Sequence, residues 1–331
     1  DGRLSLGYPT LRTLRLLGDF STSEALLRYA HANPPTPRPS RPWPARKGGE
    51  AWQVEPDAPA YAEVRRLDPH REGTASAEIV PGRAVQLAPG VTRVTAPNPG
   101  AMTGSGTNSY LLGDGDDVLV IDPGPANPDH LDRLLALTAG KISRVLVTHT
   151  HIDHSPGVTW LKARTGAELV GLPPPAGESQ DADFAPDYCP RHGERLETPA
   201  GALKVLHTPG HASNHLCYLL ESARLLFAGD QVMQGSTVVI NPPDGDMADY
   251  LAALQALGEE PFDTIAPGHG FLIGEAHAAI DFLVTHRLAR EHKVRRALAR
   301  YAPASLEALT RHAYDDVPAE KLGVAARSAL A

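Results

Sequence analysis

The chain has 331 residues, 42% of them hydrophobic and 21% charged, which suits a globular protein with one sizeable core and material left for a smaller module. A formal net charge of -8 excludes a chain that coats nucleic acid over its whole surface, and no apolar run reaches the roughly 18 residues a membrane helix needs. Two cysteines, Cys189 and Cys217, are too few for a disulfide framework and suit free thiols in a reducing compartment.

In chain order, Leu11 to Tyr29 is amphipathic, with Ser21 or Ser23 able to cap a short helix. The run from Asn33 to Pro44 is too proline-dense for helix or sheet and predicts extended, polyproline-like chain, with loop character persisting to about Gly73. Residues 1–75 therefore read as an N-terminal extension. The start lacks the charged and apolar regions of a secretory signal, so a cytoplasmic location away from membranes is expected. Opening on Asp1 rather than Met is compatible with a piece of a longer protein.

Residues 76–275 read as the main domain. Short strands are expected at Val85–Leu87, Val91–Val94, Asn108–Leu112 and Val118–Ile121, then a helix from Pro128 to Leu137 and a strand at Val145–Val147. A helix at Val158–Thr165 and a strand at Glu168–Gly171 precede a Pro- and Asp-rich loop over 173–187. Strands follow at Leu203–His207, Cys217–Leu220, Leu225–Phe227 and Thr264–Ala266, with a helix over Met247–Leu257. This mixed order predicts sheet layers covered by helices. Residues 276–331 form a helical module, with helices at Glu275–Ala299, Ser305–Ala313 and Ala319–Ala331.

The densest chemical signal is Thr148-His-Thr-His-Ile-Asp-His154, directly after a predicted strand. Three imidazoles and a carboxylate in six positions are hard to place in a fold without metal, and zinc favours such donors. Further candidates stand at strand ends: His211 after Pro-Gly, Asp230 after Phe-Ala-Gly, and His269 after Pro-Gly. Rigid strands opening into loops are where ligands are expected. Taken singly, Asp230 reads equally as a turn residue, and His192, His207 and His215 carry no independent reason to bind metal. The donors suffice for two ions rather than one.

The ordered set HxHxDH, His, Asp and His resembles the metallo-β-lactamase superfamily over roughly residues 80–275. The resemblance implies an α+β fold, a four-layer αββα sandwich with the metals at one sheet edge. Position by position, it assigns His149, His151 and His211 to one ion and Asp153, His154 and His269 to a second, with Asp230 bridging. It places Asp122, in Val-Ile-Asp-Pro-Gly, behind the ligands as their support. Two zinc ions are implied, with iron or manganese able to use the same donors. Enzymes that hydrolyse antibiotics commonly carry Cys where this chain has Asp230, which points away from lactams.

Thr103-Gly-Ser-Gly-Thr-Asn-Ser-Tyr-Leu-Leu112, His154-Ser-Pro-Gly157, Pro242-Pro-Asp-Gly-Asp-Met247 and His286-Arg-Leu-Ala-Arg-Glu-His-Lys293 resemble the lactamase-beta-2-like group. That resemblance implies a winged-helix-like C-terminal module, here incomplete, and an endoribonuclease activity on single-stranded RNA. The nucleophile it implies is a metal-bridging hydroxide, with Asp153 as ligand and catalytic proton acceptor. Asn108 and Tyr110 are candidate substrate contacts, although Tyr110 suits a core position equally.

Arg287, Arg290, Lys293, Arg296 and Arg300 fall at steps of three or four, a basic face suited to phosphates or, equally, a solvated helix with pairs such as Glu291 with Arg295. The same ligands would serve a thioester or small-ester hydrolase similar to glyoxalase II. Residues 1–30 resemble the tail of a Nudix domain, so a third reading is a catalytically silent metal-binding module fused to such a partner. Oligomeric state is not legible.

Overall fold

The computed structural model describes residues 7–32, 41–177, 179–301, 304–318 and 322–330. The chain forms two compact units, Asp1–Arg41 and Pro42–Ala331.

In the first unit the amphipathic stretch is two helices, α1 (Tyr8–Gly18) and α2 (Ser23–Ala32). The break falls after Gly18, and Thr22 Oγ1 rather than either serine accepts from the Ala25 amide at 3.1 Å. Thr22 thus satisfies one of the orphan donors at the α2 start. Most of the expected polyproline segment, residues 33–40, lies outside the described residues.

The second unit begins with structure that the sequence pattern conceals. Trp43 and Pro44, the end of the proline run, open strand β1 (Trp43–Lys47), which pairs antiparallel with β2 (Glu50–Val54). Gly48 and Gly49, both at positive φ, supply the backbone twist that a two-residue hairpin turn requires. Helix α3 (Tyr61–Leu67) follows, so the expected loop up to Gly73 is instead a hairpin and a helix. They are held by distant partners: Tyr61 and Val64 pack with Ala45, Val54 and Phe271. Buried Glu63 receives bonds from Arg93 at 2.6 and 2.9 Å and from the Leu272 amide at 2.9 Å. Local alternation of apolar residues is weak here because the fixing contacts are remote in sequence.

A six-stranded sheet runs in sequence order: β3 (Ala84–Ala88), β4 (Val91–Thr95), β5 (Asn108–Leu112), β6 (Val118–Ile121), β7 (Ile142–Leu146) and β8 (Glu168–Val170). Its first four strands pair antiparallel, while β6, β7 and β8 pair parallel through α4 (Pro128–Leu137) and α5 (Gly157–Thr165). A five-stranded sheet holds β9 (Arg195–Leu196), β10 (Leu203–His207), β11 (Leu216–Leu220), β12 (Leu225–Gly229) and β13 (Thr264–Pro267), in the order β13-β12-β11-β10-β9. Helix α6 (Met247–Gly258) makes the parallel crossover from β12 to β13. β9 lacked a signal because it is only two residues long.

The sheets face each other through Leu112, Leu119, Ile121 and Leu146 on one side and Leu203, Val205, Tyr218 and Phe227 on the other. The outer face of the first sheet packs Val120 and Val145 on Leu131, Leu134 and Leu161 of α4 and α5. The outer face of the second packs Leu219 and Leu226 on Tyr250 and Leu254 of α6 and on Ile280 and Leu283 of α7 (Ala276–Tyr301). The architecture is therefore a four-layer αββα sandwich. Strands β5, β6, β11 and β12 read as unbroken apolar or small-residue runs because both faces are covered.

Helix α7 belongs to the sandwich through its first half and continues to α8 (Leu306–Ala313) and α9 (Leu322–Leu330). Ser305 caps α8 through its bond from the Ala308 amide at 3.2 Å. No strand follows β13 among the described residues. No helix there is long and apolar enough to cross a membrane. Cys189 is exposed and Cys217 buried, and both are free thiols.

Candidate metal centre

The loops after β6, β7, β10, β12 and β13 carry Asp122, the Thr148–His154 segment, His211, Asp230 and His269. Three groups of ligand atoms form there, each with its members within 4.8 Å: His149, His151 and His211; His149, His154 and Asp230; Asp153, His154 and His269. The structure thus brings all seven sequence candidates together.

The backbone makes room for this crowding. A Cβ on Gly268 would lie 2.6 Å from Asp230 Oδ1 and 2.8 Å from His154 Cε1, so a side chain there would push the ligands apart. Gly229, at φ +46°, brings its Cα close to Thr148 and His215, where a Cβ would meet Thr148 Oγ1 at 2.6 Å.

Each imidazole is aimed by what holds its other side. His154 Nδ1 is 2.9 Å from Asp122 Oδ2, and the same carboxylate accepts from the Thr148 amide and hydroxyl, each at 2.7 Å. Asp122 makes these bonds from the left-handed region, at φ 51°. His149 Nδ1 contacts Thr148 Oγ1 at 3.0 Å, His211 Nδ1 the Val239 carbonyl at 2.8 Å, and His269 Nδ1 the Gly106 carbonyl at 3.2 Å. Nε2 of His149 and His211 lie 2.9 and 3.1 Å from His151 Nδ1, so the first group meets through two Nε2 atoms and one Nδ1. Partners of this kind fix tautomer and orientation in metal-binding histidines.

The test of whether metal fits lies in the unpaired atoms. His154 Nε2, His269 Nε2 and Asp230 Oδ1 are buried with no hydrogen-bond partner, yet the two nitrogens stand 3.5 and 3.3 Å from that oxygen. Buried polar atoms are normally paired, and three converging exceptions mark a place for a cation. Protonation leans the same way. Burial, joined by neighbouring imidazoles, pulls His149 well below the usual histidine range and His151 to about 3. Burial also opposes charge on His154 and His269, but Asp153 and Asp230 outweigh it, lifting His154 well up and His269 to about 9. The same pairing, against burial, holds Asp153 at about 2 and Asp230 well below its ordinary value. The carboxylates are ionised and demand positive charge, which divalent ions would supply by displacing those protons.

Asn108 and Tyr110, the candidate substrate contacts, do not reach the cavity at this edge. Asn108 donates to the carbonyls of Pro267 and Gly270 at 3.0 and 2.9 Å, and Tyr110 donates to Pro267 at 2.6 Å while packing on Phe227. They secure the loop that presents His269. His192 and His207 are exposed and outside the cluster. Missed in the sequence is His215, fully buried, whose Nδ1 is 2.9 Å from Thr208 Oγ1 and whose Nε2 accepts from the Asp230 amide at 3.2 Å. Its position immediately before β11 gave no hint of that contact.

Above the ligands opens a cavity of about 1480 Å3, bordered by His151, Asp153, His211, Asp230 and His269. Met102, Ile152, Met233 and Phe271 give it apolar wall, and His286, Arg287 and Arg290 of α7 line it as well.

The profile of the Metallo-beta-lactamase superfamily matches residues 102–269. A beta-lactamase-like protein 2 homolog of Drosophila melanogaster is 31% identical over 245 residues, covering 67% of this chain and 81% of that protein. An atrochrysone carboxyl ACP thioesterase of Aspergillus chevalieri is 32% identical over 220 residues, covering 64% of this chain and 67% of the relative. Among solved structures, a beta-lactamase domain protein from Burkholderia ambifaria is similar with a TM-score of 0.66 at 24% identity, covering 77% of this chain and 88% of that one.

Proposed function

The chain belongs to the metallo-beta-lactamase superfamily, in its lactamase-beta-2-like group, as a metal-dependent hydrolase, and from that premise we propose that it cleaves thioesters at a dinuclear zinc site. His149, His151 and His211 would hold one ion, Asp153, His154 and His269 the other, and Asp230 would lie between them. Two ions there would supply Lewis acidity, making a water nucleophilic at neutral pH and polarising the thioester carbonyl. Asp153, its side chain 25% exposed where Asp230's is 10%, is the more open carboxylate and would accept the water's proton. Met102, Ile152, Met233 and Phe271 would seat an acyl chain and keep bulk water from it.

The observation that carries the choice of substrate is the pairing of an apolar cavity wall with a basic helix on which Arg290 and Lys293 are already ion-paired. Arg290 binds Asp316 at 2.7 Å and Lys293 binds Asp315 at 2.6 Å, while Arg287 is buried, so three of the five basic residues expected to track RNA phosphates are paired or withdrawn from the surface. Relatives named thioesterases support the same reading.

The test is turnover of S-hexanoyl pantetheine, lactoylglutathione and labelled single-stranded RNA by metal-replete protein, with chelator and Asp153→Ala controls. Hydrolysis of a thioester that chelation abolishes supports the reading. RNA cleavage with no thioester turnover replaces it with the endoribonuclease reading. Turnover of none of the three by metal-replete protein favours a catalytically silent module.

A further inference from the structure

Arg287 stands apart from the other basic residues of α7. It is 5% exposed, and its Nε is buried with no hydrogen-bond partner. Its Nη2 donates to the Val238 carbonyl, and its guanidinium lies 5.5 Å from the Tyr250 ring centroid. Among the described residues no carboxylate lies within the 4 Å that an ion pair needs, whereas Arg290 and Lys293 have Asp316 and Asp315. The preceding residue, His286, also keeps a buried nitrogen, Nδ1, without a partner. Both residues line the cavity that holds the metal ligands.

A buried, unpaired guanidinium is costly unless an anion meets it, and no carboxylate of the described chain does. We propose that Arg287 and His286 form an anion subsite in this cavity, which takes the phosphate on the thiol carrier of a thioester substrate. The substrate class rests on the thioester reading above, while the anion site rests on Arg287 alone. Arg327, from α9, lines the same cavity and adds positive charge suited to a phosphate rather than to a single carboxylate.

The link to the metal ligands is direct. Arg287 is anchored on the carbonyl of Val238 and His211 on that of Val239, neighbouring residues whose Cα atoms are about 3.8 Å apart. A phosphate held beside Arg287 would thus lie in the cavity that the candidate ligands border.

The experiment compares kcat/KM for S-hexanoyl pantetheine and S-hexanoyl phosphopantetheine with the metal-replete 331-residue chain. Wild type is expected to favour the phosphorylated thioester about tenfold or more, through KM, as a charged hydrogen bond would give. Arg287→Met, similar in volume, should bring the ratio to about one, and His286→Gln should lower it in case the first variant does not fold. Separately, inorganic phosphate is titrated into chelated protein, where metal cannot bind it. It should raise the thermal midpoint of wild type and not of Arg287→Met.

Equal kcat/KM for the two thioesters in wild type, or equal protection of both proteins by phosphate, overturns the subsite. Arg287-dependent phosphate binding without turnover of either thioester upholds the anion site and removes the thioester reading.

Discussion

At the sandwich edge, imidazoles and carboxylates converge with three buried atoms left without a protein partner, whereas on α7 Arg290 and Lys293 find partners within their own chain. Both regions border one cavity, and both are rich in charge. What separates them is whether the chain completes its own pairs. A polar group that the fold satisfies is structural, whereas several that it buries and leaves open at one cavity have room for something from outside. Arg287 breaks the pattern of its own helix by this criterion, and Asp122 with His215 show the reverse inside the metal centre, where fully engaged groups only aim others.

The largest effect should come from the open side of the comparison. Asp230→Asn keeps the shape and removes the negative charge between the two groups of imidazoles. Turnover is expected to fall about a thousandfold, with metal content measured on the same preparation. Full activity at normal metal loading would show that the unpaired Oδ1 is not reserved for a cation.

A buried histidine outside the cluster supplies the control for protonation. His130, on α4, is pulled to about 4 by burial, with Nε2 2.9 Å from Ser109 Oγ. Because its folded value lies below the unfolded one, the unfolded chain binds the extra proton at acid pH. The stabilisation is complete above about 6.5 and is lost as pH falls toward about 4. That window corresponds to about 3 kcal/mol. Denaturant titrations of wild type and His130→Asn at matched metal loading should differ in slope across it. Parallel slopes would mean that His130 is not the group that loses its proton on folding.

Asp122→Ala removes the anchor of His154 and Thr148 without touching the cavity. Metal affinity should drop by roughly ten- to a hundredfold, read by competition with a chromogenic chelator. An unchanged affinity would mean that His154 is aimed by its packing alone.

The seven residues that converge at the candidate metal centre were legible because they are close in sequence or follow strand ends with Pro-Gly or Ala-Gly before them, signals that need no knowledge of distant partners. The strands of the two sheets were legible for the same reason: β5, β6 and β10 are local apolar or alternating runs bounded by turns. The hairpin β1–β2 and helix α3 were not, since they are held by Phe271, Arg93 and the Leu272 amide, some 30 to 200 residues away. Asn108 and Tyr110 misled because strand residues near a site point to either face. Here they point to the His269 loop, and only the sheet pairing reveals it. The basic periodicity of α7 was real, but the residues that pair with Arg290 and Lys293, Asp316 and Asp315, lie beyond the end of α8.

That last pairing sets up the smallest effect. Asp315 and Asp316 are 67% and 55% exposed at the side chain, so solvent screens their bonds to Lys293 and Arg290, which contribute little to stability. Their influence on ligands should be larger than on folding, because they cancel two positive charges on a face that otherwise suits phosphates. The double variant Asp315→Asn, Asp316→Asn should unfold at nearly the wild-type denaturant midpoint. It should bind single-stranded RNA several-fold more tightly, with log K falling more steeply with log salt by about 0.7 for each phosphate newly contacted. Fluorescence anisotropy over a salt series reads both quantities. If wild type already binds RNA with a steep salt slope that the double variant leaves unchanged, the aspartates do not screen the helix. The α7 face would then have to be regarded as a nucleic-acid surface in its own right, and the contrast with the metal edge would narrow to Arg287.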